Sequence, residues 1–366
     1  MNDPTKVQTQ AKTRGARRVF VTGGEGFIGS NLIRMILAQR PDWWVWNLDN
    51  HSYAGSGENL ADLEGEERYR AVPVDVRDRA AVVALFRDVA PTDVLHLAAE
   101  SHVDRSIASA EPFVQVNVEG TLVVLEAARA SGVERFVQVS TDEVYGALGP
   151  EGRFTENTPL APNSPYSASK AAADMLARAF HRTYGLPVVT TRCSNNYGPF
   201  QFPEKLIPLM ITNALEDRPL PIYGDGCQTR DWIHVDDHCR GLLAALESGL
   251  PGEVYNFGGN AERTNLQVVD VILETLGKPR SLIRHVADRP GHDRRYAVDA
   301  SRAARELGWE PRVSFEDGLA STIEWYRSHE GWWRRLKDPG YLAWYGKHYG
   351  HALAAPVGHL PARSSL

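Results

Sequence analysis

The sequence of 366 residues predicts an α/β fold in which a doubly wound parallel sheet precedes a smaller C-terminal region. Short apolar runs alternate with helical patterns up to about residue 200, and such alternation is typical of a parallel sheet with helices on both faces. From about residue 201, polar loops, short helices and isolated arginines take over. We therefore expect domains at residues 17–200 and 201–350, with disordered tails at 1–16 and 351–366.

Composition and charge exclude several classes of protein. The net charge of −6 argues against a general nucleic-acid binder, whose surface would be basic. No apolar run reaches the roughly 18 residues of a membrane span, and the N-terminus lacks the apolar core of a signal peptide. The three cysteines, Cys193, Cys227 and Cys239, have no metal-binding spacing and fit reduced thiols. We expect a cytoplasmic protein with no metal, membrane or nucleic-acid partner.

A glycine-rich turn follows the first predicted strand, residues 18–22, and precedes a helical pattern at 30–39. Its glycines are Gly23, Gly26 and Gly29. Glycine in such a turn lets the backbone approach a pyrophosphate closely, and the N-terminus of the helix favours the negative charge. With a strand before it and a helix after it, the turn predicts a Rossmann domain that binds a dinucleotide.

The second predicted strand, residues 44–48, ends at Asp49. In Rossmann domains an acidic residue about 20 positions past the glycines accepts hydrogen bonds from the ribose hydroxyls. A carboxylate here also repels the 2′-phosphate of NADP. The sequence therefore predicts NAD as the cofactor.

The rest of this domain continues the alternation. Small residues after the fourth strand, at 98–101, would let a cofactor lie against the backbone, although close packing is the alternative. The further predicted strands are 69–74, 93–97, 135–139 and 188–192, and the further helices are 80–89, 114–130 and 166–184.

A group of reactive side chains follows the strand predicted at 135–139. Thr141, Asp142 and Glu143 stand just beyond it, and ligands of open α/β sheets bind at the carboxyl ends of the strands. Tyr166 and Lys170 open the next helix at a spacing that places them on one face. A hydroxyl, two carboxylates, a phenol and an ammonium together indicate a site that moves protons and a hydride.

Two charged clusters lie beyond residue 201, at 230–237 and 288–295. The planar fork of arginine binds phosphate, so these clusters indicate a phosphate-bearing substrate, whereas solvated surface charge is the alternative for each arginine. We therefore interpret residues 201–350 as mainly a substrate-binding domain, which could also contribute a strand or helix to the first domain's sheet. Packing explains one aromatic series better than a cofactor site does: Trp309, Trp325, Trp332, Trp333 and Trp344.

These motifs resemble the extended short-chain dehydrogenase/reductase superfamily and, within it, the dTDP-glucose 4,6-dehydratases. The resemblance covers roughly residues 18–349. The superfamily motifs are Thr-Gly-Gly-x-Gly-Phe-Ile-Gly at 22–29 and Tyr-x-x-x-Lys at 166–170, and the narrower motifs are residues 96–106, 140–146, 193–199 and 230–232.

The resemblance implies a reaction, a set of roles and an assembly. NAD would oxidise dTDP-glucose at C4, water would leave across C5 and C6, and the hydride would return to C6. Thr141 would hydrogen-bond the sugar O4, Asp142 would be the acid and Glu143 the base, and Tyr166, supported by Lys170, would be the oxidation base. A homodimer would form through two helices of each subunit, about 114–130 and 166–184.

The binding residues follow from the same resemblance. NAD would be held by Phe27, Ile28, Asp49, Asp75, Val76, Ala98, Lys170 and Asn196, besides the glycine-rich turn. The nucleotide sugar would be held by Ser101, Thr141, Asn195, Lys205, Leu206, Arg230, Asn265, Arg289 and His292.

The chain departs from the family pattern at two places. Residues 49–55 read Asp-Asn-His-Ser-Tyr-Ala-Gly where the family usually reads Asp-Lys-Leu-Thr-Tyr-Ala-Gly. Val116 stands where a threonine commonly precedes Asn117. Both places lie on the cofactor side, so the departures bear on cofactor affinity and not on the type of reaction.

Two electrostatic expectations accompany this mechanism. Lys170 and a positive nicotinamide stabilise phenolate, so the pKa of Tyr166 is expected to be lowered. The adjacent carboxylates of Asp142 and Glu143 repel each other, which helps one of them to keep a proton near neutrality.

Other functions on the same fold make different demands on the motif. A nucleotide-sugar 4-epimerase or a UDP-glucuronate decarboxylase needs the Thr, Tyr and Lys but no neighbouring acid–base pair. A UDP-N-acetylglucosamine 4,6-dehydratase would carry Lys after the Asp. A non-catalytic NAD-sensing protein would lack Tyr166 or Lys170. The preference for dTDP over UDP rests on the resemblance, and the downstream deoxysugar is not specified.

Overall fold

A computed structural model describes residues 16–52 and 55–354, with the backbone alone for 351–354. Of the tails predicted at 1–16 and 351–366, residues 1–15 and 355–366 lie outside the described residues. Within the predicted C-terminal tail, however, residues 351–354 continue the last helix. That helix carries Tyr341, Trp344, Tyr345 and Tyr349, which pack into or against the chain, and this packing extends order beyond the predicted boundary.

The main sheet has seven strands, and every neighbouring pair is parallel. The strands described are β1 Arg17–Thr22, β2 Trp43–Asp49, β3 Tyr69–Pro73, β4 Asp93–His96, β5 Arg135–Thr141, β6 Val188–Cys193, β7 Asn195–Tyr197, β8 Leu220–Tyr223, β9 Thr229–His234, β10 Val254–Phe257, β11 Glu262–Thr264 and β12 Ile283–Val286. The order in the main sheet is β10-β6-β5-β4-β1-β2-β3, so the predicted α/β doubly wound fold is confirmed.

Helices cover both faces of this sheet. Successive side chains of a strand point to opposite faces, so Phe20 packs on one side of β1 while Val19 and Val21 pack on the other. The helices are α1 Phe27–Gln39, α2 Arg79–Val89, α3 Val103–Ala108, α4 Glu111–Val114, α5 Thr121–Ser131, α6 Pro165–Tyr184, α7 Leu206–Leu215, α8 Val235–Ser248, α9 Asn265–Leu276, α10 Ser301–Leu307, α11 Phe315–Ser328, α12 Glu330–Leu336 and α13 Pro339–Ala354.

The helix predicted at 114–130 is present and spans residues 111–131 without a break. Its middle is a π-helical turn, Gln115–Gly120, which joins α4 to α5. Its Asn117 amide donates to the Glu100 carbonyl oxygen at 3.0 Å and to Ser169 Oγ at 2.8 Å, and it accepts from the Glu100 N–H at 2.8 Å. These long-range bonds fix the wide turn beside α6, a local feature that the helical pattern did not predict.

The region after residue 201 has its own core and also completes the main sheet. β10 pairs with β6 as the seventh strand, and α8 packs on the same face as α1. Elsewhere the tryptophan series is packed into or against apolar clusters, which confirms its packing role. Over residues 16–52 and 55–354, no helix is both long enough and apolar enough to cross a membrane.

Candidate active site

A cleft opens at the carboxyl ends of the central strands, with a volume of about 300 Å³. The order of the sheet reverses between β1 and β4, and crevices at such switch points bind ligands. A second cavity of about 160 Å³ shares four of its lining residues with the first. These shared residues are Glu143, Asn195, Glu204 and Lys205, so the two cavities meet beside a catalytic candidate.

The structure brings nearly all of the sequence-predicted residues to these two cavities. All five catalytic candidates line the first. Asp75 is the exception among the cofactor candidates, because its carboxylate pairs with Arg77 at 2.6 Å and it does not line the cleft. Lining the first cavity are Gly23, Gly26, Phe27, Ile28, Gly29, Asp49, Val76, Ala98, Lys170, Asn196 and Ser101, and lining the second are Asn195, Lys205, Leu206, Arg230, Asn265, Arg289 and His292.

The glycine-rich turn forms a cradle that fits a dinucleotide. Gly23 has a φ of +71°, and a Cβ built on it would lie 2.8 Å from the Ala98 Cα, so a larger residue would be strained and would clash. At the far end of the cleft, Asp49 accepts backbone hydrogen bonds from Glu25 at 2.9 Å and His51 at 3.1 Å. The Asp49 carboxylate is thereby fixed where a ribose diol would be recognised.

The acid–base candidates stand on a 3₁₀ turn, Asp142–Tyr145, at the end of β5. Thr141 caps this turn, because its Oγ1 accepts a hydrogen bond from the Glu143 N–H at 3.3 Å. Asp142 is buried, and its Oδ2 has no hydrogen-bond partner among the described residues. An uncompensated buried carboxylate oxygen favours the protonated acid.

The environments of the two carboxyl groups differ. Burial raises the pKa of Asp142 well above its usual range, and the nearby Glu143 and Asp231 carboxylates raise it further. Burial also raises the pKa of Glu143, but three cations lower it: Arg289, Arg230 and Lys205. The expectation that one carboxyl group keeps a proton is therefore best met by Asp142. Burial contributes most to its raised pKa, and repulsion from Glu143 comes second.

Tyr166 and Lys170 are positioned by the start of α6. Ser164 forms a capping box with Ser167, which fixes the first turn of the helix. Lys170 is buried, and its Nζ donates a hydrogen bond of 2.7 Å to the Val139 carbonyl oxygen. The helix is therefore attached to β5 just ahead of the acid–base pair.

The expectation of a lowered pKa for Tyr166 is wrong for the protein alone. Burial raises the pKa of Tyr166 well above its usual value, and the Glu143 carboxylate and Cys193 add to this, while a hydrogen bond from Thr141 acts in the opposite direction. The expectation included the positive charge of a nicotinamide, which the chain by itself does not supply.

Three cations line the second cavity: Arg230 is buried, and Lys205 and Arg289 are partly buried. The Arg230 guanidinium donates to the Asp293 carbonyl oxygen at 3.0 Å and lies 4.4 Å from the centre of the Tyr296 ring. The Lys205 ammonium donates to the Ser101 carbonyl oxygen at 2.6 Å. Arg230 and Lys205 are therefore not the solvated surface charges of the alternative reading, and their charges are available to a phosphate-bearing ligand.

Sequence reasoning missed several residues around the second cavity. Tyr296 lies under Arg230 and hydrogen-bonds Asp293, just beyond the predicted cluster at 288–295. Asp104 accepts a hydrogen bond of 3.1 Å from Arg289. Asp104 lies inside the family motif at 96–106, so that motif could have identified it. Tyr296 lies in no recognised motif, and nothing in the sequence indicated its role.

The Rossmann cleft ends in a Thr-Asp-Glu turn and a Tyr–Lys pair, and it adjoins a pocket lined by three cations. Together these features define a nucleotide-sugar enzyme of the short-chain dehydrogenase/reductase type. Comparison with known proteins agrees: the family model for GDP-mannose 4,6 dehydratase matches residues 20–322. The chain belongs to the dTDP-glucose 4,6-dehydratase family, as relatives and solved structures show.

A dTDP-glucose 4,6-dehydratase of Xanthomonas campestris pv. campestris (strain B100) is 53% identical over 340 residues, which cover 88% of this chain and 96% of the relative. The dTDP-glucose 4,6-dehydratase of Salmonella typhimurium is 47% identical over 357 residues, which cover 91% of this chain and 99% of the relative. The crystal structure of DesIV, a dTDP-glucose 4,6-dehydratase from Streptomyces venezuelae solved with NAD bound, superposes with a TM-score of 0.85 at 52% identity, covering 87% of this chain and 100% of DesIV.

Proposed function

We propose that this chain catalyses the NAD-dependent dehydration of dTDP-glucose to dTDP-4-keto-6-deoxyglucose, a hydro-lyase reaction of deoxysugar biosynthesis. The observation that carries the proposal is the pair of carboxyl groups at the junction of the two cavities. Asp142 is buried with a raised pKa, and Glu143 faces three cations. An elimination needs both an acid and a base, and this pair offers one of each.

NAD occupies the first cavity in this proposal. The turn from Gly23 to Gly29 holds the pyrophosphate, and Asp49 accepts the ribose hydroxyls and excludes the 2′-phosphate of NADP. When bound, NAD accepts a hydride from the sugar and later returns it. The other proposed contacts, all of which line this cavity, are Phe27, Ile28, Val76, Ala98, Lys170 and Asn196. Asp75 is a proposed contact from the family resemblance alone.

The nucleotide sugar occupies the second cavity, with its glucose at the junction. Arg230, Arg289 and Lys205 supply positive charge for a diphosphate. Asn265 and His292 line the same space and offer hydrogen-bonding groups to the nucleotide. The remaining proposed contacts are Ser101, Thr141, Asn195 and Leu206.

Oxidation at C4 uses the residues on α6. Thr141 hydrogen-bonds the sugar O4, and the Tyr166 phenolate removes the O4 proton. The buried Lys170 ammonium stabilises the phenolate. Because burial and the Glu143 carboxylate hold the pKa of Tyr166 high in the protein alone, the phenol stays protonated until a positive charge adjoins it.

Elimination uses the acid–base pair on the 3₁₀ turn. The 4-ketone acidifies the C5 proton, which Glu143 removes, and the electron pair forms the C5–C6 double bond as the C6 oxygen leaves. Asp142 gives that oxygen its proton, so water departs instead of hydroxide. The raised pKa of Asp142 keeps this proton available near neutrality.

A homodimer in the cytoplasm completes the proposal. Large apolar side chains are exposed on the two segments that the resemblance assigns to the interface: Val114 is 47% exposed, Met175 46% and Tyr184 52%. Cys193, Cys227 and Cys239 are all free, which fits a reducing compartment. Sedimentation of wild-type protein and of Met175→Asp tests the dimer: the variant should dissociate, and a monomeric wild type would contradict it.

The function is tested by turnover with dTDP-glucose and UDP-glucose side by side. We expect dTDP-glucose to be converted to a 4-keto-6-deoxy product that has lost one water, without added NAD. A C4 epimer with unchanged mass would instead support the 4-epimerase alternative, and a decarboxylated product from UDP-glucuronate would support the decarboxylase. No turnover of any sugar would support an NAD-sensing protein.

A further inference from the structure

Glu25 and His51 form a pair beside the cofactor cavity, and the proposed mechanism uses neither residue. The Glu25 Oε2 lies 2.6 Å from the His51 Nδ1. Glu25 stands at the variable position of the glycine motif, and His51 stands where the family usually has leucine. The Glu25 side chain is 4% exposed and the His51 side chain 54%, so one carboxylate is buried and its partner closes over it from solvent.

The same two residues also hold Asp49. The Glu25 N–H donates to one Asp49 carboxylate oxygen at 2.9 Å, and the His51 N–H donates to the other at 3.1 Å. To do so, His51 adopts a φ of +54°, which is unfavourable for a residue with a side chain. The orientation of the ribose-binding carboxylate therefore depends on how this loop is held.

Glu25 links the glycine-rich turn to the segment after β2. Its carbonyl oxygen accepts hydrogen bonds from Asn59 Nδ2 at 2.8 Å and from the Ser56 N–H at 3.3 Å. Glu25 thus contacts described residues on both sides of this segment, His51 on one side and Ser56 and Asn59 on the other. Gly55 and Asn50 of this segment line the cofactor cavity directly.

The charges make His51 necessary to this arrangement. Burial raises the pKa of Glu25 and the Asp49 carboxylate raises it further, whereas the hydrogen bond and charge of His51 lower it. Without His51, Glu25 would be buried beside the Asp49 carboxylate with no side-chain hydrogen-bond partner among the described residues. A buried carboxyl group without a partner is unfavourable, so the contact between residues 50–52 and the glycine-rich turn would weaken.

We propose that the Glu25–His51 pair is a cofactor-retention clasp, which holds residues 50–52 on the glycine-rich turn and slows the release of NAD. It rests on the proposal that the first cavity holds NAD. Retention matters for this reaction because the cofactor ends each cycle in its starting state. The clasp positions Asp49 and takes no part in the chemistry, so it should affect NAD release and leave the reaction steps unchanged.

The test measures how fast holoenzyme exchanges its bound NAD for isotope-labelled NAD. His51→Leu should speed release by about tenfold or more, because it leaves the Glu25 carboxylate buried and unpaired. Glu25→Ala removes the clasp without creating a buried charge, so release should accelerate severalfold. The double variant should match Glu25→Ala and exchange more slowly than His51→Leu. Single-turnover rates at saturating NAD should match the wild type in all three.

Asp270→Asn serves as the control, since Asp270 forms an exposed ion pair with Arg280 in the C-terminal region. Release at the wild-type rate from Glu25→Ala would overturn the clasp, and so would a double variant that exchanges as fast as His51→Leu. If His51→Leu does not fold, comparing the rates of NAD release from Glu25→Ala and from wild type still tests the clasp. Wild-type protein that holds no NAD would instead overturn the proposed function, and the clasp with it.

Discussion

The Lys170 Nζ donates a hydrogen bond of 2.7 Å to the main-chain carbonyl oxygen of Val139. This contact joins α6 to the carboxyl end of β5, from which Thr141, Asp142 and Glu143 continue. It therefore fixes the residues proposed for oxidation relative to those proposed for elimination. Burial lowers the pKa of Lys170, while the Asp174 carboxylate raises it and so helps to retain the positive charge.

Lys170→Met should lower turnover by about 10²-fold or more, because it removes the cation that stabilises the Tyr166 phenolate. The residual activity should rise with pH, since the phenol then ionises only under more alkaline conditions. The measurement is kcat between pH 6 and 10, with Lys278→Met as the control for loss of a partly exposed lysine that pairs with Asp217 outside the two cavities. A loss that is independent of pH would contradict the assigned role.

Asp231→Asn should change the pH dependence of stability. Burial raises the pKa of Asp231 to about 6, while its carboxylate accepts a hydrogen bond of 2.8 Å from the Ala261 N–H. The unfolded value is about 3.9, so the stabilising contribution is complete below about pH 4 and is lost as the pH rises through about 6. The variant lacks this loss. Its free energy of unfolding should therefore rise by about 3 kcal/mol relative to that of the wild type when the pH is raised from 4 to 7.5.

Denaturant unfolding at these two pH values measures the effect of Asp231→Asn. If the stability advantage of the variant over the wild type stayed constant with pH, or shrank as the pH rose, the predicted effect of the Asp231 carboxylate would be contradicted. The Asp231 carboxylate also raises the pKa of Asp142, so the variant should lower the pH above which turnover declines. The two effects share one cause and should appear together.

The sequence predicts the sheet well where the chain supplies strong local signals. Apolar runs such as those at 18–22 and 135–139 are buried on both faces in a parallel sheet, and the glycine-rich turn permits no larger residue at Gly23. The predicted element bounds differ from those observed by only a few residues. Motif residues at strand ends gather because parallel strands bring their carboxyl ends to one edge of the sheet.

Other features depend on contacts that no local pattern encodes. β10 is a short run whose membership of the main sheet is decided by pairing with β6, and the π-helical turn depends on bonds from Asn117 to Glu100 and Ser169. The raised pKa of Tyr166 follows from burial, which depends on the packing of the whole site. Asp75 carries the family motif but pairs with Arg77 in this structure.

Glu143→Gln should abolish most of the exchange at C5. If Glu143 removes the C5 proton, product made in deuterated water by the wild type should carry deuterium at C5. The amide cannot accept that proton, so the variant should lose about 10²–10⁴-fold in rate, the usual value of a positioned general base. Mass spectrometry of the product measures the label. Unlabelled C5 in wild-type product would argue against abstraction by a base that exchanges with solvent.

The central claim is that Asp142 supplies the proton that lets the C6 hydroxyl leave as water. Asp142→Asn keeps the size and hydrogen bonding of the side chain but removes the acidic proton. In the proposed mechanism C4 oxidation uses Thr141, Tyr166 and Lys170 and not Asp142, so the variant should still oxidise the sugar and then stop before hydride reaches C6. Tyr166→Phe is the matched control, because it should block the earlier oxidation step.

The most direct measurement is absorbance of reduced nicotinamide in a single turnover of dTDP-glucose by Asp142→Asn holoenzyme. We predict that the signal rises and decays slowly in Asp142→Asn, stays near zero in wild type because the hydride returns quickly, and never rises in Tyr166→Phe. Formation of the 4-keto-6-deoxy product by Asp142→Asn at the wild-type rate would contradict the account.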